Sequence, residues 1–176
     1  IAACFLLAAA LADAIGATST ERTSVLEGLR QMPEAMERTF ALRDDIAAAA
    51  QRVAPSRRYW AIVGNGANRI AAEEIRIKLS ELCYKAIACD GTEDKKHIDL
   101  SSEPMILVCA AGLQGSTADD VAKEVAIYRA HKAAPVVIAT QGEERFSSAL
   151  QVIAVPEVHP RLAFILSAMV GHLFGY

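Results

Sequence analysis

Two acids flanking a lysine, with a histidine a short way downstream, are the residues here best suited to chemistry: Glu74, Lys78 and Glu81 in "EEIRIKLSELCY", and His97 at the end of "TEDKKH". On a helix, steps of four and three place Glu74, Lys78 and Glu81 on one face. A carboxylate there can shuttle a carbon-bound proton, an ammonium beside it can hold a developing oxyanion, and an imidazole titrates near neutral pH. A solvated ladder of charges has the same spacing, and exposed pairs of this kind contribute little to stability. His97, in so charged a stretch, equally suits a soluble loop. Cys83 and Cys89 lie six residues apart without CxxC spacing or clustered histidines, so no metal is expected.

Two glycine turns are the next candidates. "GNGANRIAAEE" opens a helix directly after an apolar run, where backbone N–H groups and the helix dipole favour an anion, so Gly64 and Gly66 are candidate ligand-binding residues. A dinucleotide site would need a third glycine where Arg69 stands, although Asp90 mimics a ribose-binding acid. A tight turn that needs glycine for its backbone explains the motif equally. In "CAAGLQGST", Gly112 and Gly115 free the backbone, while Ser116 and Thr117 suit either a phosphate or a plain helix cap. His131, His159 and His172 have no partner near in sequence and are expected to be structural.

Positioning these residues calls for strands and helices. "YWAIVG", "KAIACD", "PMILVCA", "APVVIAT" and "LQVIAV" read as five apolar strands. Between them lie helix-period segments, at about 67–84, in "TADDVAKEVAIYRAHK" and in a short helix near "EERFSSAL"; "TEDKKHIDL" reads as a loop. Fully apolar strands separated by amphipathic helices predict a parallel sheet covered on both faces, a three-layer α/β sandwich. "HPRLAFILSAMVGHLFGY" adds a last helix, apolar on more than one side, that wants cover.

Upstream, residues 1–56 read as a helical arm and 57–176 as the α/β domain. "IAACFLLAAALADAIGA" has no basic stretch before it, and Asp13 interrupts it before the ~20 apolar residues a membrane span needs. A buried helix is expected there, with Gly16 as its stop and the Ser and Thr of "GATST" capping the next. "SVLEGLRQM" and "PEAMERTFALRDDIAAAAQRVA" read as two further helices, the second opening on Pro33. The chain has 53% apolar and 22% charged residues and a net charge of -3, which argues against a polyanion-binding surface, so no nucleic acid partner is expected. Four cysteines in apolar patterns read as reduced, packed thiols and a cytoplasmic setting. Lacking a start Met, the chain is expected to be a piece of a larger protein.

Taken together, "GNGANRIAAEEIRIKLSELCY", the later "KKH" and the run "EPMILVCA" resemble the second sugar-isomerase (SIS) domain of the glucosamine-6-phosphate synthases, the glutamine:fructose-6-phosphate aminotransferases. That family's helix has the form "ALEGALKLKEISY", followed by a loop ending "GELKHGP" and a strand of the "MPVIVV" kind. Its Lys and Glu lie three apart and its His follows sixteen residues after the Glu, intervals that Lys78, Glu81 and His97 reproduce. The resemblance implies Glu81 as the base moving a proton between C1 and C2 of a sugar, Lys78 assisting it, and His97 helping to open the ring from a neighbouring subunit. It further implies a homodimer, a phosphosugar substrate, no cofactor, and a glutaminase domain and first SIS lobe elsewhere in the parent chain. Residues 1–56 would then be the connection to that first lobe. The Gly and Pro of "GELKHGP" are absent here, and the family's Ser/Thr sugar-phosphate loops belong to its first lobe, so the isolated chain is expected to be inactive. The alternative is a non-catalytic SIS module that binds a phosphosugar and regulates or scaffolds a larger protein.

Overall fold

Alternation along the central strands explains how the sheet is buried on both sides. In β3 (Met105–Cys109), Met105, Leu107 and Cys109 join one apolar cluster while Ile106 and Val108 join another, as a two-residue repeat requires. All five are fully buried. β4 (Ala134–Thr140) divides the same way, Val136 and Ile138 against Val137 and Ala139. With β1 (Trp60–Gly64), β2 (Ala88–Asp90) and β5 (Gln151–Val155) they form a five-stranded parallel sheet in the order β2-β1-β3-β4-β5. The expected three-layer sandwich is present. The computed structural model describes residues 1–17 and 20–176; the proposed Ser and Thr caps at 18 and 19 fall outside them.

One face carries α4 (Ala67–Cys83) and α7 (Ala163–Gly175), the latter backed by α2 (Thr20–Ala41) and α3 (Arg43–Val53). Met32, Ala35, Ile46, Ala49 and Val53 of those two helices sit in the same cluster as the sheet residues. The other face carries α6 (Gly115–Ala130), whose Val121, Val125 and Tyr128 pack on Ile106, Val108 and Val137. Each fully buried aliphatic side chain in these layers contributes roughly 1.5–3 kcal/mol.

Several local expectations are corrected. Pro33 does not open a helix: α2 runs through it, because Gly28, Met32, Ala35 and Thr39 bury one continuous face on both sides of the proline. Thr39 donates its hydroxyl to the Ala35 carbonyl at 2.8 Å, and the break comes instead at Leu42. No helix forms in "EERFSSAL"; the crossover from β4 to β5 is a run of turns pinned by the buried Phe146. Within the stretch read as a loop, Thr92–Lys95 forms a one-turn helix, α5. α1 (Ala2–Ala14) forms as expected, but none of its residues is buried in this chain, Leu7 being 71% exposed. Cys4 on that helix is an exposed free thiol, unlike the buried Cys109. No helix among the described residues is long and apolar enough to cross a membrane.

Candidate active site

The charged face of α4 is set by how closely α7 lies against it. A Cβ at Gly171 would overlap three side-chain carbons of Ile75, and one at Gly175 would overlap Leu79 Cδ2. Glycines four apart thus let the α7 backbone reach the buried Ile75 and Leu79, as small residues at a helix interface do elsewhere. That approach carries the next residue, His172, to the edge of the α4 charge row. His172 Nε2 lies 3.2 Å from Glu74 Oε1. Four residues along α4, Lys78 Nζ donates to Glu81 Oε2 at 3.0 Å. The Glu81 hydrogen bond, helped by the charges of Glu81 and Glu74, raises the Lys78 pKa, so the ammonium is held in its charged form. Lys78 and Glu81 are 42% and 59% exposed, so a ligand approaching α4 meets both groups.

His172, expected from the sequence to be structural with no partner near it along the chain, has one across the helix interface. Its partner lies 98 positions away, from Glu74 to His172, and no local spacing announces it. The only hint was the "GHLFG" pair of glycines inside an apolar helix.

His97 does not join this row within one chain. Its segment is fastened to the opposite face of the sheet, where Tyr128 of α6 donates its hydroxyl to the Thr92 carbonyl and Lys96 bridges Glu93 at 2.7 Å and Glu124 at 3.0 Å. Burial raises the Glu124 pKa, whereas the Lys96 hydrogen bond lowers that of exposed Glu93. His97 itself is 69% exposed, with Nε2 3.8 Å from Glu93. The sheet therefore stands between Glu81 and His97.

The glycine turns gather at the far end of α4. Gly64 ends β1, and a Cβ on it would strike the Asn68 carbonyl; Gly66 has φ +55°. Both glycines thus have a backbone reason to be there. Asn68, buried in the crevice between β1 and β3, donates to the Ala111 carbonyl at 2.8 Å and accepts from Ser167 at 3.0 Å, tying three elements at the point where ligands of open α/β sheets gather. Gly66 and Glu81 are about 22 Å apart along the helix at 1.5 Å per residue.

Ser116 and Thr117 do not cap α6, which begins one residue earlier at Gly115 with Gln114 as an N-cap that makes no side-chain bond. Both side chains are exposed in the first turn. Beside them Arg145 donates to the Gly115 carbonyl at 3.0 Å, to Asp119 at 3.2 Å and to Glu143 through Nε at 2.8 Å and Nη2 at 2.6 Å. Two acids thus neutralise the guanidinium nearest this helix start. The Arg145 hydrogen bond holds the Glu143 carboxyl below its ordinary range. Its stabilising contribution is therefore complete above the unfolded value of about 4.3 and disappears as pH falls through the lower folded value. Glu143→Gln is expected to lower the urea midpoint at neutral pH, with the gap from the parent closing in strong acid; a gap independent of pH would show that the ion pair contributes nothing.

These elements, in this order and with this sheet, form a SIS-like fold. Over 96% of its length the chain matches 48% of the C-terminal domain of glucosamine-fructose-6-phosphate aminotransferase from Francisella tularensis, with a TM-score of 0.83 at 14% identity. It also matches, over 97% of its length and 63% of the other chain, the Vibrio vulnificus NanR protein complexed with ManNAc-6P, with a TM-score of 0.61 at 15% identity. In sequence it is 30% identical over 175 residues to the isomerizing glutamine–fructose-6-phosphate aminotransferase of Thermus thermophilus, an alignment covering 97% of this chain and 29% of that enzyme. The chain is thus similar in sequence to isomerizing glutamine–fructose-6-phosphate aminotransferases and spans 29–30% of the length of these curated relatives. No family model matches it.

Proposed function

We propose that the chain is the isomerase half of an aminotransferase that converts fructose 6-phosphate and ammonia to glucosamine 6-phosphate, the ammonia coming from glutamine hydrolysis in a separate domain of a larger parent chain. The observation that carries this reading is an exposed carboxylate and ammonium 3.0 Å apart, Glu81 and Lys78, in a chain similar in sequence to enzymes named for that reaction. Glu81 would take the proton from one carbon of the open-chain sugar and return it to the neighbouring carbon, and Lys78 would hold the oxygen on which charge develops meanwhile. His97, on the other side of the sheet, would serve the site from a second copy, making the working unit a homodimer. In this reading residues 1–56 are the connection to a first SIS lobe and 57–176 are the SIS domain, the working unit being cytoplasmic.

A second reading is favoured by the distance between the two ends of α4. Gly64 and Gly66 lie at the carboxyl end of β1, and Ser116 and Thr117 beyond that of β3, so a phosphosugar bound at these strand ends would lie far from Glu81. Such a module would bind without catalysing, in a regulatory or scaffolding role. Calorimetry with fructose 6-phosphate on the parent protein, paired with an assay of glucosamine 6-phosphate formation, separates the two. Turnover dependent on glutamine is expected; binding without turnover would establish the second reading in its place.

A further inference from the structure

We propose that His172 of α7 is a positioning residue for the Lys78–Glu81 pair, acting by engaging Glu74 so that the Lys78 ammonium is left to Glu81. The inference rests on the reading of Lys78 and Glu81 as the reactive pair.

Lys78 has two acids within helical reach, Glu74 one turn before it and Glu81 one turn after it. The first is the stronger competitor by order along the chain, since an acid four residues ahead of a lysine is the favoured arrangement on a helix. Yet Lys78 hydrogen-bonds Glu81 at 3.0 Å, while Glu74 is met instead by His172 Nε2 at 3.2 Å. Nε2 is sealed from solvent and makes no well-aligned hydrogen bond, so what it offers Glu74 is close placement, 3.2 Å from Oε1, in the space the carboxylate would otherwise leave toward α7. What brings the imidazole there is the close seating of α7: Gly171, the residue before it, leaves no room for a side chain against Ile75. Glu74 and His172 are 46% and 43% exposed, so neither is part of the apolar core and the pair is not needed to seal it.

The consequence for chemistry is directional. An ammonium shared between Glu74 and Glu81 would spend part of its time a turn away from the base it assists. An ammonium committed to Glu81 stays where an oxyanion beside that base would form. His172 thus acts on the reaction through two other side chains and touches no substrate.

The test is made on the full chain by NMR of dimethylated lysines, with the Lys78 signal assigned by its loss in Lys78→Arg. The shift in Lys78 titration between the parent and Glu81→Gln measures how strongly the two residues are coupled. His172→Ala is expected to reduce that coupling by roughly half or more. His172→Gln, which keeps a donor near Glu74, is expected to retain most of it, and adding Glu74→Gln to His172→Ala is expected to restore it, because the competing carboxylate is gone. In an active parent protein, kcat should fall about tenfold in His172→Ala with little change in KM, and recover in the double variant. Coupling unchanged in His172→Ala, or not restored by Glu74→Gln, overturns the role of His172 whatever the turnover. Coupling that follows the expected pattern in a protein without turnover supports the positioning role and sinks the enzymatic reading alone.

Discussion

Glu81→Gln is expected to lower glucosamine 6-phosphate formation by at least ~100-fold in the parent protein if the proposed isomerase reading holds, because a carboxamide cannot accept the carbon-bound proton that the carboxylate would shuttle. Substrate binding should change little, since the amide keeps the size and polarity of the side chain. The fold should hold as well: Glu81 is 59% exposed and its partnership with Lys78 is a surface one. The loss should therefore appear in kcat, with circular dichroism and the unfolding midpoint close to those of the parent. Lys78→Met, which removes the ammonium but keeps the length, should fall in the same direction by a smaller factor. Turnover unchanged in Glu81→Gln would remove the base from the mechanism.

The second large effect concerns the contact that holds the site together. Gly171→Ala puts a methyl group into Ile75, whose side chain is fully buried and has nowhere to retreat. Overpacking of this kind costs about 1–3 kcal/mol. Ile75→Ala alone leaves a cavity and costs about 2–5 kcal/mol. Because the two changes fill and empty the same space, the double variant should be less destabilised than the sum, by about 1 kcal/mol or more. Urea midpoints of the four proteins read this directly, and strict additivity would show that α4 and α7 are not in the close contact described here. Gly171→Ala should also move His172 away from Glu74, so a stability defect and a loss of Lys78–Glu81 coupling should appear together.

The strands were legible because a parallel sheet covered on both faces needs runs that are apolar at every position, and the shortness, flanking Gly and Pro and β-branched content of "MILVC" and "PVVIA" favour strand over buried helix. α4 was legible too, with the apolar spacing of Ala71, Ala72, Ile75 and Leu79 on its inner face. Errors fell where local signals compete with packing. Pro33 reads as a helix start, yet one lost N–H weighs less than a continuous buried face on either side of it. "EERFSSAL" has helix-forming residues, but a single buried anchor, Phe146, and a short crossover hold it in turns. Of the two readings open for Ser116 and Thr117, a phosphate contact or a cap, the cap fails because the backbone enters the helix one residue sooner.

By itself the sequence determined the fold class and the helix face that bears Glu74, Lys78 and Glu81, because both follow from periodicities of two and 3.6 residues that act over short stretches of chain. It also carried the family intervals linking Lys78, Glu81 and His97. Only the tertiary structure decided that a sheet separates Glu81 from His97, that the glycine turns open at the opposite end of α4, and that His172 stands beside Glu74. Those are consequences of which helix lies on which face and how closely two helices seat, and such choices are made by side chains meeting across distant segments, where no local spacing records them.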